Sequence, residues 1–253
     1  GRTKTKVLFD AISSRIIKKK FRSSFLEKNS LLEIKDSKFV YFPLQVDPDR
    51  NLLIGSPYLT NQLESIRNIA KSLPIGHQLY VKEHPGQRRE WRDISFYKEI
   101  IDIPNVKLIH PSVSSEEIYK KCSLVITSGG SSGFEASFFQ KPTIVFSDTI
   151  YNRLNCVSKI NDIGELSSTI DKCLNKEIFS DDLDKFLIFL DKNSFDFDLF
   201  GYIFIEAKEF FHDAVLIDVE IQQNKMKIFL EKHSNLIDII GNELIKEMNI
   251  RKN

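Results

Sequence analysis

A run of serine and glycine is the segment of this sequence best suited to chemistry. An apolar segment with strand character is followed by Ser128, Gly129, Gly130, Ser131 and Ser132, where a segment with helical character begins. Glycines let a backbone approach a phosphate closely, and the first N–H groups of a helix donate hydrogen bonds to it. The spacing matches neither a dinucleotide fingerprint nor a P-loop, which needs a lysine after the glycines. Residues 128–133, named the serine–glycine turn, are therefore predicted to bind a phosphate, with an ordinary Gly/Ser turn as the alternative.

Glu135 lies just after this turn, inside the first turn of the predicted helix. One interpretation is structural, because a carboxylate at that place stabilises the positive end of the helix dipole. The other is functional. A nucleotide whose phosphate lies at the helix start places its ribose about one turn away, where a carboxylate can accept both hydroxyls. The sequence leaves the two interpretations equally open.

A histidine follows a second predicted strand, in the sequence Lys-Glu-His-Pro-Gly-Gln at residues 82–87. The carboxyl edge of a parallel sheet is where α/β proteins bind ligands, so Glu83 and His84 are well placed for a site. His84 can donate a hydrogen bond to a phosphate and protonate a departing one, which makes it the predicted catalytic residue. A lone histidine is more often structural, but Pro85 fixes the backbone here. Residues 83–87 are named the His84 loop.

Other polar residues follow the neighbouring strands. His110 ends a strand in a second His-Pro pair and is a candidate for contact with a base or a ribose. Gln45, Asp47 and Arg50 follow the first strand and are candidates for the same site, although Pro48 between two acids is also a turn signal. Three arginines beyond the His84 loop either add positive charge to the site or belong to an arginine-rich surface loop: Arg88, the candidate for phosphate, Arg89 and Arg92.

The sequence contains no motif for a metal site or for a serine hydrolase, and its cysteines are few. No cluster of His, Cys, Asp or Glu has metal-ligand spacing, and no G-x-S-x-G elbow of a serine hydrolase occurs. We therefore expect neither a metal nor a bound cofactor. Three scattered cysteines, an odd number, favour a reducing compartment, and the chain is predicted to be cytoplasmic: Cys122, Cys156 and Cys173.

These candidate residues need an α/β framework to position them. From residue 38 to about residue 175, short β-rich apolar runs alternate with helical segments, which is typical of βαβ units and a parallel sheet. Five strands are predicted, at 38–44, 77–82, 106–109, 123–127 and 143–146. Five helices are predicted, at 58–72, 94–101, 115–121, 132–140 and 165–174. The predicted fold class is α/β, with a Rossmann-like, doubly wound parallel sheet.

The C-terminal part of the chain has a different character. After about residue 179 the pattern is helical, and residues 226–248 predict one amphipathic helix with an apolar stripe for a core or an interface. Residues 195–211 are predicted to be helical, with a strand at 202–205 as the alternative. The predicted division is an N-terminal helical or linker segment (1–36), a Rossmann-like domain (37–178) and a helical C-terminal extension (179–253).

Charge and hydropathy exclude several classes of protein. The 253 residues carry 36 basic and 35 acidic side chains, a net charge of +1, so no overall field recruits nucleic acid. No apolar run approaches the roughly 20 residues of a membrane span, and the N-terminus lacks the apolar core of a secretory signal. A basic cluster indicates either a solvated helix face or a weak contact with the inner face of the cell membrane: Lys18, Lys19, Lys20 and Arg22.

Several of these motifs together resemble the capsule polysaccharide biosynthesis proteins, a family that includes the bacterial transferases that place Kdo residues on capsule lipid anchors. The resemblance rests on YFPLQVDPDR at 41–50, LYVKEHPGQ at 79–87, SFYKEI at 95–100, LVITSGGSSGFEASFFQKPTIVF at 124–146 and the segment around Tyr151. It runs from about residue 39 to residue 162. Taken singly, a His-Pro pair and a Ser-Ser turn also resemble bacterial sialyltransferases and the glycerophosphate polymerases of teichoic acid synthesis, both users of cytidine nucleotides.

The resemblance implies a glycosyltransferase of the GT-B type, in which two Rossmann-like domains face each other and the C-terminal one holds the nucleotide sugar. It implies that His84, Ser131 and Ser132 hold the donor phosphate, and that no metal is needed. The expected reaction transfers a sugar from a nucleotide donor, such as CMP-Kdo, to a glycan or glycolipid acceptor. Only one Rossmann-like unit is visible, which departs from this pattern. A chain that starts at Gly1 is expected to be the C-terminal part of something longer.

Two other functions stay open. A transferase of polyol phosphate from a CDP-linked donor would use the same pocket. A non-catalytic domain that binds a nucleotide sugar or serves as a scaffold would keep the fold without needing His84. The identity of the transferred group separates the first of these from a sugar transferase, and donor binding without turnover would indicate the second.

Overall fold

A six-stranded parallel sheet forms the framework of the molecule. The computed structural model describes residues 20–35, 37–47, 51–56, 59–87, 92–212 and 219–250. The strands are β1 (Phe39–Pro43), β2 (Gln78–Lys82), β3 (Val106–Ile109), β4 (Leu124–Thr127), β5 (Thr143–Val145) and β6 (Val157–Lys159). They lie in the order β3-β2-β1-β4-β5-β6, and every neighbouring pair is parallel. The predicted α/β class with a parallel sheet is confirmed.

Helices connect the strands and continue beyond the sheet. Helix α1 covers residues 20–29 of the described chain. The others are α2 (Gln62–Ser72), α3 (Ile94–Ile101), α4 (Ser115–Lys121), α5 (Ser132–Ser137), α6 (Leu166–Leu174), α7 (Asp181–Lys192), α8 (Leu199–Phe210), α9 (Gln223–Lys232) and α10 (Ser234–Ile250). Shorter elements are a π-helical turn at Asn51–Gly55 and 3-10 turns at Ile150–Arg153 and Ile163–Glu165.

The strand order changes direction between β1 and β4. From β1 the chain moves outward through β2 and β3, and it then returns to place β4 on the other side of β1. In open α/β sheets the loops at the carboxyl ends of two such strands diverge and leave a crevice in which ligands bind. Gln45 follows β1 and the serine–glycine turn follows β4, so both lie at this point of the sheet.

Apolar layers cover both faces of the sheet, as its continuous apolar strands require. On one face Val40 and Phe42 belong to a buried cluster with residues of α2, α3 and α6. On the other face Phe39 and Tyr41 belong to a cluster with residues of α4 and α5. Alternate side chains of β1 therefore enter opposite layers and all are buried, which makes β1 a central strand.

The predicted elements of the sheet agree closely with the structure. All five predicted strands are present, with each end within one residue of the prediction. Strand β6 is absent from the prediction because Val157–Lys159 is short and partly polar. Helix α2 begins at Gln62 because the Asn61 side chain accepts hydrogen bonds from two backbone N–H groups of the first turn. Helix α5 ends early, at Ser137, and Gln140 adopts a φ of +54°.

The described residues fall into two compact units, one up to Phe186 and one from Leu187 onward. The first unit holds the sheet and its core, to which Leu26 of α1 also contributes. The second unit holds α8, α9 and α10. Its buried side chains include Phe210 and Phe229, whose ring centroids lie 4.7 Å apart.

The C-terminal helices differ from the predicted pattern. Where one helix is predicted at 226–248, α9 and α10 meet at His233. The strand alternative at 202–205 is wrong, since those residues lie within α8. The division of the chain at 36/37 and 178/179 stays a prediction. In the described part of the chain, no helix is long and apolar enough to cross a bilayer.

The three cysteines are buried and free. Burial raises the pKa of Cys122 to about 12 and the pKa of Cys156 to about 11. Such thiols are protonated at neutral pH, which makes them poor nucleophiles and poor metal ligands. The candidate chemistry therefore lies in the loops at the sheet edge.

Candidate functional site

Gln45 and Thr127 join the two loops at the point where the strand order reverses. The Gln45 Nε2 donates a hydrogen bond to Thr127 Oγ1 over 3.3 Å. Both residues are buried. Thr127 Oγ1 also accepts the backbone N–H groups of Gly129 at 3.4 Å and Gly130 at 3.3 Å. The predicted candidate Gln45 thus contacts the residue that shapes the serine–glycine turn.

Close steric contacts require glycine in the serine–glycine turn. Gly129 has a φ of +139°, and a Cβ added there would lie 1.9 Å from Ser147 Oγ. A Cβ on Gly130 would lie 2.9 Å from the side-chain amide of Gln45. Side chains of neighbouring segments therefore lie against this backbone with no room for a Cβ. At Gly129 the backbone also has a conformation that residues with a side chain rarely adopt. These glycines are a steric requirement of the fold as well as a feature suited to phosphate binding.

Two serine hydroxyl groups support the Ser128 end of the turn from within the protein. The Ser128 carbonyl oxygen accepts hydrogen bonds from Ser56 Oγ at 3.0 Å and from Ser147 Oγ at 2.6 Å. Ser128 itself is fully buried, and its Oγ has no hydrogen-bond partner among the described residues. Ser128 therefore belongs to the framework of the turn, while the other predicted phosphate ligands, residues 129–132, are partly or fully exposed.

Glu135 lies exposed beside the start of α5. Its Oε1 accepts a hydrogen bond from Ser131 Oγ at 2.7 Å, and its Oε2 accepts one from the Tyr119 hydroxyl at 2.9 Å. Burial raises the pKa of Tyr119 well above its usual value, so this hydroxyl stays a donor. The carboxylate is held in place by its neighbours and is still open to a ligand. Its role as a ribose ligand stays a prediction.

His84 lies exposed after β2, and its ring is held by the following turn of the chain. The Gly86 N–H donates to His84 Nδ1 over 3.0 Å. An accepting Nδ1 places the proton of the neutral ring on Nε2, which leaves a hydrogen-bond donor for a ligand. A Cβ on Gly86 would lie 3.1 Å from Nδ1, so a larger residue would crowd this contact. The predicted donation from His84 to a phosphate fits this geometry.

Glu83 is a buried residue whose carboxylate is engaged within the protein. It accepts hydrogen bonds from Arg92, from the Tyr97 hydroxyl and from the backbone N–H of His84. This candidate therefore holds the His84 loop and is closed to a ligand in this arrangement. Arg92 is buried as well, so the alternative of an exposed surface loop is wrong for this arginine.

Two buried glutamines hold the loop that follows β1. The Gln62 side chain accepts the Gln45 N–H at 2.8 Å and donates to the Gln45 carbonyl at 3.2 Å. The Gln87 side chain makes the same two bonds to Asp47, at 2.8 and 3.2 Å. The candidate Asp47 is thus fixed through its backbone, while its side chain is 50% exposed. Because Gln87 belongs to the His84 loop, the loops after β1 and β2 are tied together.

Lys82 is a residue of this region that the predicted site does not include. Its Nζ is bonded inside the protein and donates to the Val113 carbonyl at 2.6 Å and to Ser115 Oγ at 3.2 Å. Burial lowers the pKa of Lys82, and the negative charge of Glu135 opposes this effect. A lysine at a strand end normally indicates a solvated position, so the sequence carries no signal of its burial.

The remaining candidates lie farther from the turn or outside the described residues. His110 follows β3, two strands from β1, and its Nδ1 lies 2.6 Å from Ser112 Oγ. Outside the described residues lie Arg50, Arg88, Arg89, Lys18 and Lys19. Within the described ranges, no group of three or more His, Cys, Asp or Glu could hold a metal ion. The expected lack of a metal or cofactor stays a prediction.

A cavity of about 520 Å³ lies beside the two serines that bind the Ser128 carbonyl. Ser56 and Ser147 line it, together with Asn161 and the ion pair of Lys159 and Asp148, whose charged atoms are 2.6 Å apart. Its volume lies within the range of small-molecule sites. The sequence gives no signal of this cavity because its walls come from loops after three different strands.

The chain is similar to several known proteins. A family model described as "Capsule polysaccharide biosynthesis protein" matches residues 2–158. Protein FixF of Sinorhizobium fredii (strain NBRC 101917 / NGR234) is 29% identical over 135 residues. These residues represent 52% of this chain and 32% of FixF, so the chain spans about a third of that relative.

Two solved structures also match part of the chain. The UDP-GlcNAc 2-epimerase from Methanocaldococcus jannaschii is 18% identical with a TM-score of 0.44, over 62% of this chain and 43% of that chain. KpsC from Thermosulfurimonas dismutans, a beta Kdo 2,7 transferase, is 20% identical with a TM-score of 0.42, over 62% of this chain and 52% of that chain.

Proposed function

The chain belongs to the capsule polysaccharide biosynthesis protein family, and from that premise we propose that it forms the nucleotide-sugar-binding half of a glycosyltransferase. The observation that carries the proposal is the serine–glycine turn, which lies where the strand order reverses and exposes residues 129–132 at the start of α5. That is the place in an open α/β sheet where nucleotides bind, and glycine and serine are suited to a phosphate.

Each candidate group has a role in the proposed complex. The donor phosphate lies against Ser131 and Ser132, and His84 donates a hydrogen bond to it through Nε2. Glu135 accepts the ribose hydroxyls, and His110 lies toward the base. The cavity that begins at Ser147 takes the glycosyl group, since its lining includes hydroxyl, amide and charged groups that can bind sugar hydroxyls.

The proposed reaction breaks the bond between the anomeric carbon of the sugar and the phosphate oxygen. The electron pair of that bond goes to the phosphate, while a hydroxyl of the glycan or glycolipid acceptor bonds to the anomeric carbon and releases its proton to water, so the products are the glycoside, the nucleotide and one proton. Hydrogen bonds that are already aimed at the departing oxygen stabilise its developing negative charge and so lower the barrier. His84 is the group proposed to carry this role, and the resemblance to Kdo transferases favours a cytidine nucleotide such as CMP-Kdo as donor. The proposed location is the cytoplasm, with a peripheral contact at the membrane.

Nucleotide binding tests this proposal directly. CMP, CDP, UDP and GDP are added to the wild type, to His84→Ala and to His77→Ala, and thermal unfolding is measured. His77 is the matched control because it precedes β2 at the opposite end of the strand from His84. A nucleotide at about 100 times its dissociation constant should stabilise the wild type by about 2.7 kcal/mol. We expect His84→Ala to lose this stabilisation and His77→Ala to keep it. Failure of all four nucleotides to stabilise the wild type would contradict the proposal.

A further inference from the structure

Arg92 lies at the centre of the contacts that join the site loops. Its side chain is only 2% exposed. Nη1 donates to both carboxylate oxygens of Glu83, at 2.6 and 2.8 Å. Nη2 donates to the carbonyl oxygen of Gln45 at 3.0 Å. One guanidinium group therefore binds the loop after β2 and the loop after β1 at the same time.

Glu83 extends this contact to His84. Its Oε1 accepts the backbone N–H of His84 at 2.7 Å, and its Oε2 accepts the Tyr97 hydroxyl at 2.5 Å. Arg22 Nη2 lies 3.6 Å from the same Oε2. The position of this carboxylate, and with it the start of the His84 loop, is therefore determined by α1, by α3 and by Arg92.

Gln45 extends the contact in the other direction, to the serine–glycine turn. Its carbonyl oxygen accepts from Arg92, and its side-chain amide donates to Thr127 Oγ1. That oxygen accepts the N–H groups of Gly129 and Gly130. A continuous series of hydrogen bonds thus leads from Arg92 to the backbone of the turn.

Stability alone does not require a charged pair at this place. Burying a guanidinium and a carboxylate removes the hydration of both, and a well-packed apolar pair of similar volume is often as stable or more stable. A planar guanidinium offers several donors in fixed directions, which neither an apolar side chain nor a lysine can reproduce. Arg92 uses these directions to bond two different loops.

We propose that Arg92 is a positioning residue of the donor site, which sets the placement of His84 relative to the serine–glycine turn through Glu83 and Gln45. The site that Arg92 positions is the donor site, so this assignment rests on the proposed function. Arg92 acts through its two partners and makes no contact with the ligand itself.

The experiment compares three variants of the full chain: Arg92→Lys, Tyr97→Phe and, as the matched control, Arg67→Lys. Arg67 is also paired with two carboxylates, Glu64 and Glu99, but its side chain is 36% exposed. One measurement is the dissociation constant of the nucleotide that stabilises the wild type. The other is the His84 ring signal in a proton–carbon NMR spectrum, assigned with His84→Ala. Circular dichroism and thermal unfolding report whether each variant is folded.

Arg92→Lys should remain folded, move the His84 ring signal and weaken nucleotide binding about tenfold, because a lysine cannot make both loop contacts. Tyr97→Phe removes one hydrogen bond to Glu83 and should move the same signal less, with binding weakened about threefold. Arg67→Lys should change neither the signal nor the dissociation constant.

A folded Arg92→Lys variant with an unchanged His84 signal and an unchanged dissociation constant would overturn the assignment. If Arg92→Lys does not fold, Tyr97→Phe decides the question by the same two measurements. If the wild type binds none of the nucleotides, the proposed function fails. In that case the His84 ring signal of the variants still shows whether Arg92 positions the loop.

Discussion

The serine–glycine turn and the His84 loop lie at one edge of the sheet and are held by different forces. Steric contact and neutral hydroxyl donors shape the turn, where Gly129 fits against Ser147 with no room for a Cβ. A buried ion pair, Glu83 with Arg92, holds the His84 loop. Charge therefore matters for one half of the site and shape for the other. Substitutions that change only one of these properties should affect the two regions differently.

Removal of one charge from the buried pair is expected to have the largest effect. Glu83→Gln removes the buried countercharge of Arg92 and leaves it only the half-exposed Asp47 carboxylate, 3.9 Å away, so we expect the free energy of unfolding to fall by about 3 kcal/mol. Urea unfolding measures this change. The matched control is Glu64→Gln, because Glu64 is 52% exposed in its pair with Arg67, and it should cost less than about 0.5 kcal/mol. Equal losses in the two variants would mean that buried charge does not hold the His84 loop.

A methyl group in the turn is the corresponding steric test. In Gly129→Ala the new Cβ conflicts with Ser147, which must rotate and lose its hydrogen bond to Ser128. The positive φ adds backbone strain, so we expect a loss of about 2 kcal/mol or more in the free energy of unfolding. Gly76→Ala is the control, because Gly76 has a φ of +87° with nothing within 4 Å of the added Cβ.

In Gly76→Ala only the backbone strain should lower the free energy of unfolding, by about 1 kcal/mol. Chemical unfolding of both variants gives the difference between them. If Gly129→Ala proves no less stable than Gly76→Ala, the close packing of the turn against Ser147 contributes nothing to stability.

Alkaline pH should have a smaller effect on the support of the His84 loop, through Tyr97. Burial raises the pKa of Tyr97 above its usual value of 10.0, and the Glu83 charge adds to this effect. The folded state keeps this proton when the unfolded chain loses it. The titration of Tyr97 therefore leaves the free energy of unfolding unchanged below about pH 10 and lowers it as the pH rises further.

Tyr97→Phe should remove up to about 1.4 kcal/mol per pH unit of that decline. Thr127→Ser, a change at the end of β4 that removes no titratable group, should leave the decline as it is in the wild type. Unfolding in denaturant from about pH 9 to about pH 11, roughly one unit on either side of the phenol's usual pKa, provides the measurement. A slope that is the same in Tyr97→Phe and wild type would contradict a buried phenol beside Glu83.

The elements of the sheet could be predicted because short local patterns determine them. The predicted bounds of α3, α4 and β3 are those of the structure, Ile94–Ile101, Ser115–Lys121 and Val106–Ile109. These segments combine a regular apolar pattern with clear turn residues at their ends. Strand β6 lacks such a pattern, and its position depends on pairing with β5.

The residues that support the site could be predicted only in part, because their partners are distant in the chain. The motif around His84 indicates a functional loop, yet nothing local shows that Glu83 is closed by Arg22 and Tyr97. Ser147 lies 19 residues after Ser128, in a segment with no motif of its own, and only the fold brings its hydroxyl to the Ser128 carbonyl. Sequence patterns locate such loops, but tertiary contacts decide which side chains remain open to a ligand.

Beyond the end of β1, two glutamine side chains take the place of a neighbouring strand. Gln62 and Gln87 each accept the N–H and donate to the carbonyl of one residue, Gln45 and Asp47. In an antiparallel sheet, two residues opposite each other exchange the same pair of bonds. This side of the crevice is thus ordered when the chain folds, and its conformational entropy is lost then and not when a ligand arrives. A ligand meets a preformed wall here, because side-chain amides bond the backbone where the strand itself has ended.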